Sequence, residues 1–261
     1  MHPILFEIFG FEVPSYGVAL VTAFIIATIL LRREGARLDL DPEQLTDAAV
    51  SGLLFGLIGA KLLLIIVELD DFIQNPAKLL DTIRSAGVIY GGQIGGALGV
   101  IWYLNRHKLP IVKTLDVMAP HLALGIGLGR VACLLAGCCY GVHYDGPFAL
   151  HFPEVAHCPA PAGVGLFPIQ IVSLINGVVL YGILIWLLRR RKFDGQIVAA
   201  FVFLYGLTRA IIENYRGDGV RGVWFDGMIS TSQLIALGGM AAAIGWTLWK
   251  FKGLSRKNTS G

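Results

Sequence analysis

Long apolar runs alternate with short polar breaks along almost the whole chain. Seven runs, at about 15–32, 46–67, 88–104, 115–136, 168–188, 196–213 and 230–249, are of the length a helix needs to cross a hydrocarbon core of about 30 Å. They lack the ten-residue alternating segments of a membrane β-barrel. The pattern predicts an all-α polytopic membrane protein, a bundle of about seven transmembrane helices forming a single transmembrane domain over residues 1–261. The longest break, about 137–167, is rich in Pro and Gly and contains no Lys or Arg, which suits an extracytoplasmic loop or lid. The first run has no basic segment before it and no small-residue cleavage site behind it, so it is expected to stay in place as a span.

Composition agrees with that class. Of 261 residues, 55% are hydrophobic and only 15% charged, against about a quarter charged in soluble domains. A net charge of +3 is too small to suggest nucleic acid as a partner. The distribution of charge is more informative. Of 21 Lys and Arg, fourteen fall after runs one, three and five and in the C-terminal tail, whereas Lys78, Arg84, Arg216 and Arg221 lie on the opposite side. The positive-inside rule makes the rich side cytoplasmic, with the N-terminus outside and the C-terminus inside.

Three cations remain, Lys61, Arg130 and Arg209, and all lie inside predicted spans. Each sits four to seven residues before the outer end of its span, roughly 6–10 Å at the helical rise. Intramembrane charge is costly and points to function. Tyr16, Tyr90, Gln93 and Gln170 add hydrogen-bonding groups at the same outer ends, and Tyr205, Arg209, Glu213 and Arg216 are spaced to share one helical face. Glycines at 52, 56 and 59, at 91, 92, 95, 96 and 99, and at 125, 127 and 129 suit close helix approach; Gly91 and Gly92 also have the option of turning backbone N–H groups toward an anion. Asp116 and His121, on the cytoplasmic half, read as interface residues.

Arginines gathered in the outer leaflet are fitted to hold an anionic lipid headgroup, because guanidinium forks bind phosphate bidentately and stay charged when desolvated. If that phosphate is also a leaving group, the same cations stabilise the charge developing on it. The cysteines, Cys133, Cys138, Cys139 and Cys158, fall at the outer face, where disulfides are permitted. A bridge from Cys138 or Cys139 to Cys158 and a reactive thiol beside Arg130 are both open. The spacing of His143, His151, His157 and Cys158 matches no metal signature, and neither metal nor cofactor is expected.

The sequence Tyr16-Gly17, Gly91-Gly92, Gly129-Arg130 with a glycine-containing turn to Gly141, Pro168-x-Gln170, and Tyr205-Gly206-x-x-Arg209-x-x-x-Glu213-x-x-Arg216 resembles the prolipoprotein diacylglyceryl transferases of bacteria over nearly the whole chain. The resemblance implies an inner-membrane transferase that moves diacylglyceryl from phosphatidylglycerol to the lipobox cysteine thiol of a prelipoprotein. It implies catalytic roles for Arg130, Arg209, Tyr90, Tyr205 and Glu213. Substrate contacts would come from Tyr16, Lys61, Gly91, Gly92, Gln93, Cys133, Cys138, Gly141, Gln170 and Arg216. The chain departs from the family pattern where Tyr90 replaces a histidine, Cys133 an asparagine, Cys138 an acidic residue and Lys61 an arginine. A tyrosine with a pKa near 10 is a poor base at neutral pH. A phospholipid-dependent transferase with another acceptor, and a membrane thiol–disulfide oxidoreductase, are the competing readings.

Overall fold

A computed structural model describes residues 3–8, 11–75, 87–155, 158–217, 223–224 and 229–259. Lys78, Arg84, His157 and Arg221 lie outside the described residues. Eight helices are described: α1 (Ser15–Ala36), α2 (Pro42–Val67), α3 (Leu69–Gln74), α4 (Ile89–Arg106), α5 (Ile111–Ala136), α6 (Ile169–Leu188), α7 (Gln196–Glu213) and α8 (Thr231–Thr259). Three short antiparallel hairpins accompany them, β1–β2 (Ile4–Ile8, Phe11–Pro14), β3–β4 (Leu150–His151, Gly165–Leu166) and β5–β6 (Val223–Trp224, Ile229–Ser230). The protein is therefore an all-α polytopic membrane protein.

Among the described residues six helices are long and apolar enough to cross a membrane: α1, α2, α5, α6, α7 and residues Thr231–Lys252 of α8. The seventh expected span corresponds to α4, which forms but falls short by composition. Five glycines with Gln93, Asn105 and Arg106 dilute its 18 residues.

Contacts divide the chain into two units, one made of Leu30–Thr114 and the other of Met1–Ile29 with Leu115–Gly261. In the Leu30–Thr114 unit, Asp41 caps α2 by accepting the Glu43 N–H at 2.9 Å, with Pro42 in the first turn, where a missing N–H costs nothing. The pairing of α2 with α4 is built on glycine. A Cβ on Gly59 would strike the Gly91 carbonyl and stand 3.0 Å from Gly95 Cα, and one on Gly91 would reach Leu63 Cβ at 2.6 Å. Backbones this close exclude any larger residue. The contact is locked by Ser51 Oγ donating to the Gly99 carbonyl (3.0 Å), the Tyr103 hydroxyl donating to Asp47 (3.0 Å) and the Val88 N–H donating to the Ala60 carbonyl (3.0 Å).

In the other unit α5 is the most enclosed of the spanning helices. It crosses α6 where Gly127 meets Gly177, a Cβ on the former lying 2.9 Å from the Cα of the latter. Near its start the buried Asp116 carboxylate accepts the N–H groups of Gly195, Ile197 and Val198 at 2.8, 3.0 and 3.0 Å. A side chain of α5 thus caps α7, satisfying donors that a helix start leaves orphaned. Four residues on from Val117, His121 Nδ1 lies 2.8 Å from the Val117 carbonyl, and the ring stands edge-on to Tyr181. Helix α6 is tied to α7 by Asn176 donating to Thr208 Oγ1 (3.1 Å).

Candidate active site

The site begins where α5 stops. Gly137 adopts φ +72, and the N–H of Cys138 donates to the carbonyl of Cys133 at 3.1 Å. This is a Schellman closure, in which a left-handed glycine ends the helix and the residue after it folds back over the last turn. Its geometry brings Cys138 onto Cys133. Cys139 follows with φ +53, a left-handed conformation that residues with a Cβ rarely adopt. Its thiol returns to the other two, and the three ligand atoms lie within 4.8 Å of one another. All four cysteines are free thiols. Cys158 stands apart, its sulfur against Gly137 and its body packed on the small cluster of Phe152, Ala160 and Leu166.

The next residues are clamped between two other segments. The Val142 N–H donates to the Tyr215 carbonyl (3.0 Å) and the Gly217 N–H to the Tyr140 carbonyl (3.0 Å), while Phe167 N–H donates to the Val142 carbonyl (2.9 Å). Gly141 bridges Arg216. A Cβ on Gly141 would press on the Phe167 carbonyl, and one on Gly217 on the Gly141 carbonyl, so both positions require glycine. The clamp joins the turn after α5 to the start of α6 and the end of α7. It sets Gln170, Arg130 and Arg216 around one space.

That space is a pocket lined on its polar side by Arg130, Cys139, Gln170, Ser173, Asn176, Tyr205, Arg209 and Arg216, and on its apolar side by Ile126, Ile169 and Ile212. Arg209 pairs with Glu213 one turn on, whose side chain is only 3% exposed. Arg130, Arg209 and Arg216 thus bring three guanidiniums to one wall of the pocket. Gln170, 2% exposed, donates through Nε2 to the Cys138 carbonyl at 3.0 Å. Its Oε1 has no hydrogen-bond partner among the described residues, so it is an acceptor held ready for a donor. Tyr205 stacks on Phe201 with ring centres 5.5 Å apart. Tyr16 opens α1 within electrostatic reach of Arg130 and the three clustered cysteines.

Hydrogen bonds from Cys133 and Cys138, and after them the positive charges of Arg216 and Arg130, hold the Cys139 thiol below the ordinary thiol range. The same bonds to Cys133 and Cys139 push the Cys138 thiol up.

Of the residues expected from sequence, Arg130, Arg209, Tyr205, Gln170 and Arg216 line the pocket, Glu213 holds Arg209, and Gly141 shapes the clamp. Cys133 and Cys138 border the pocket through Cys139. Lys61, Tyr90, Gly91, Gly92 and Gln93 belong to the Leu30–Thr114 unit. There Lys61 and Tyr90 are half-buried, Gln93 is exposed, Gly91 is packed against α2, and the Gly92 N–H donates to the Val88 carbonyl (3.2 Å). Cys139, read from sequence only as a thiol open to bridging Cys158 or to reaction beside Arg130, lines the pocket. The sequence reading missed Ser173 and Asn176, although with Gln170 and Gly177 they recur at helical spacing on one face of α6.

Comparison with known proteins adds a family. The family model for prolipoprotein diacylglyceryl transferase matches residues 3–249. A Clostridium tetani protein named phosphatidylglycerol–prolipoprotein diacylglyceryl transferase is 36% identical over 237 residues, covering 91% of this chain and 93% of its own. A second from Clostridium perfringens is 35% identical, covering 91% of each chain. One from Vibrio cholerae is 27% identical over 256 residues, covering 97% of this chain and 92% of its own.

Proposed function

Because the chain belongs to the prolipoprotein diacylglyceryl transferase family, we propose that it transfers the diacylglyceryl group of phosphatidylglycerol to the lipobox cysteine thiol of a prelipoprotein, releasing glycerol phosphate, in the bacterial inner membrane. The observation that carries this reading is the convergence of Arg130, Arg209 and Arg216 on one pocket. Their guanidinium forks offer paired donors and positive charge, which suit a phosphodiester.

In this role Arg130 and Arg209 grip the phosphate, and Arg216, from the clamped segment, meets it from the turn side. As the glycerol carbon–oxygen bond breaks, the leaving phosphate gains charge, and the same guanidiniums stabilise it in a setting where water is scarce. Glu213 fixes the Arg209 fork through their ion pair, which keeps it oriented for bidentate contact. Gln170 offers its Oε1 to a hydroxyl of the glycerol headgroup, and Tyr205 and Tyr16 orient the lipid. Ile126, Ile169 and Ile212 give the acyl-bearing end an apolar wall. Lys61, Tyr90, Gly91, Gly92 and Gln93 are further substrate contacts by family resemblance. With the N-terminus outside and the C-terminus inside, the pocket opens in the outer leaflet, and residues 137–167 form the extracytoplasmic arm beside it.

Incubating the purified protein with phosphatidylglycerol micelles and a lipobox peptide, and reading the peptide by mass spectrometry, tests the reading. The expected product carries diacylglyceryl in thioether linkage, stable to hydroxylamine. An unmodified peptide, alongside a relative that modifies it under the same conditions, would refute the proposal.

A further inference from the structure

We propose that Cys133, Cys138 and Cys139 bind a zinc ion as three thiolate ligands, leaving a fourth position open to the acceptor thiol. The use of that position rests on the transferase reading above; the metal site itself does not. The first support is geometric. The three sulfurs lie within 4.8 Å of one another, and tetrahedral zinc with bonds of about 2.3 Å holds its sulfurs roughly 3.8 Å apart, so each has at most about an ångström to close. The second is that the cluster is built by backbone. The Schellman turn stacks Cys138 on Cys133 through their 3.1 Å hydrogen bond, and Cys139 is held at φ +53, a conformation that a non-glycine residue keeps only where its surroundings impose it.

Charge and ligand number point the same way. Zinc with three thiolates carries one net negative charge, and Arg130 and Arg216 stand close enough to share it. Among the described residues the group contains three candidate ligands and no fourth. Three protein ligands with an open position is the pattern of a catalytic zinc, whereas structural sites are closed by four. Cys139 belongs both to the thiol cluster and to the wall of the arginine pocket. A thiol bound at the fourth position is thereby set beside the carbon whose phosphate the arginines hold.

The chemistry fills the gap left where Tyr90 stands in place of the family's histidine. A thiol that coordinates zinc is deprotonated by it. The acceptor S–H bond breaks as its sulfur binds the metal, and the proton passes to water. A sulfur lone pair then forms the bond to the glycerol carbon while the carbon–oxygen bond breaks, and that electron pair leaves with glycerol phosphate. The thioether, neutral and a weak ligand, dissociates, and zinc keeps its oxidation state throughout.

The test uses the full chain, purified in detergent under nitrogen with its thiols reduced, and loaded with zinc(II) or cobalt(II). Elemental analysis is expected to give one zinc per chain. Cobalt is expected to show the sulfur-to-metal charge-transfer and ligand-field bands of a tetrahedral site, lost in Cys133→Ser, Cys138→Ser and Cys139→Ser and kept in Cys158→Ser. A lipobox peptide should raise the charge-transfer band by about a third as a fourth thiolate joins three, and its Cys→Ser counterpart should leave it unchanged. Four titratable thiols with no bound metal would overturn the site, as would binding that survives all three serine variants. Chelation separates the two readings. A metal-free enzyme that still modifies the peptide at full rate overturns the zinc role and leaves the transferase standing. Metal bound at the three cysteines, in a chain that releases no glycerol phosphate, supports the site and refutes the transferase.

Discussion

At the scale of single residues, the guanidinium fork is what the proposed chemistry needs. Arg130→Ala and Arg209→Ala are each expected to lower turnover by a factor of 100 or more, about 3 kcal/mol of transition-state stabilisation. Arg130→Lys should recover little of it, because an ammonium keeps the charge but not the paired donors. Turnover of the three variants against phosphatidylglycerol checks this, with circular dichroism confirming that each remains folded; an active Arg130→Lys would show that charge alone suffices. The arginines were legible as candidates because a charge inside an apolar run is conspicuous in any sequence. Ser173 and Asn176 share a helical face with Gln170, a weaker signal, since small polar residues in a span read as ordinary helix packing until the pocket they face is known. The cysteines show a subtler limit. From sequence Cys133 falls in the fourth span and Cys138 in the loop after it, both at the outer face, and only the turn at Gly137 brings them together.

Elements impose a second set of demands. Asp116 supplies the cap of α7 from α5, accepting three backbone N–H groups at a buried site. Asp116→Ala should destabilise the protein by about 1–3 kcal/mol, since it leaves buried donors unsatisfied. Thermal unfolding in detergent measures it, and Asp116→Asn, which keeps one acceptor, should lose less. No pattern in the sequence links Asp116 to Gly195, 79 residues away, so sequence reading reached only as far as an interface role. The glycines of α2 and α4 make a sharper contrast. A Cβ on Gly91 would meet the Gly59 backbone, whereas one on Gly92 finds Gly56 O at 3.5 Å and Ala60 Cβ at 3.6 Å, ordinary contact distances. Gly91→Ala should therefore lower the unfolding temperature, and Gly92→Ala should leave it nearly unchanged. If Gly92→Ala nevertheless loses activity, that glycine acts on the substrate and not through packing. The helix pattern was readable from apolar run length, α4 included, although its glycines serve the contact with α2 at the expense of hydropathy.

For the whole molecule, the charge asymmetry predicts an orientation that can be checked directly. Reporter fusions after residue 109 and at the C-terminus should behave as cytoplasmic, and one in the 137–167 segment as extracytoplasmic; a cytoplasmic 137–167 reporter would reverse the assignment of the pocket to the outer leaflet. Multi-pass architecture and family follow from features spread over the chain, which is why both were legible before any contact was known. The acceptor side was not, because Cys133 and Cys138, two of the residues that depart from the family pattern, gain a shared setting only once their thiols are seen to meet that of Cys139 at the pocket wall. The most direct test of the account is release of glycerol phosphate from phosphatidylglycerol by the purified protein, measured with a lipobox peptide and with the same peptide carrying serine for cysteine. Release that requires the peptide thiol, in equal amount to the peptide modified, is the predicted result. Release independent of the thiol, or none while a relative assayed in parallel is active, would contradict it.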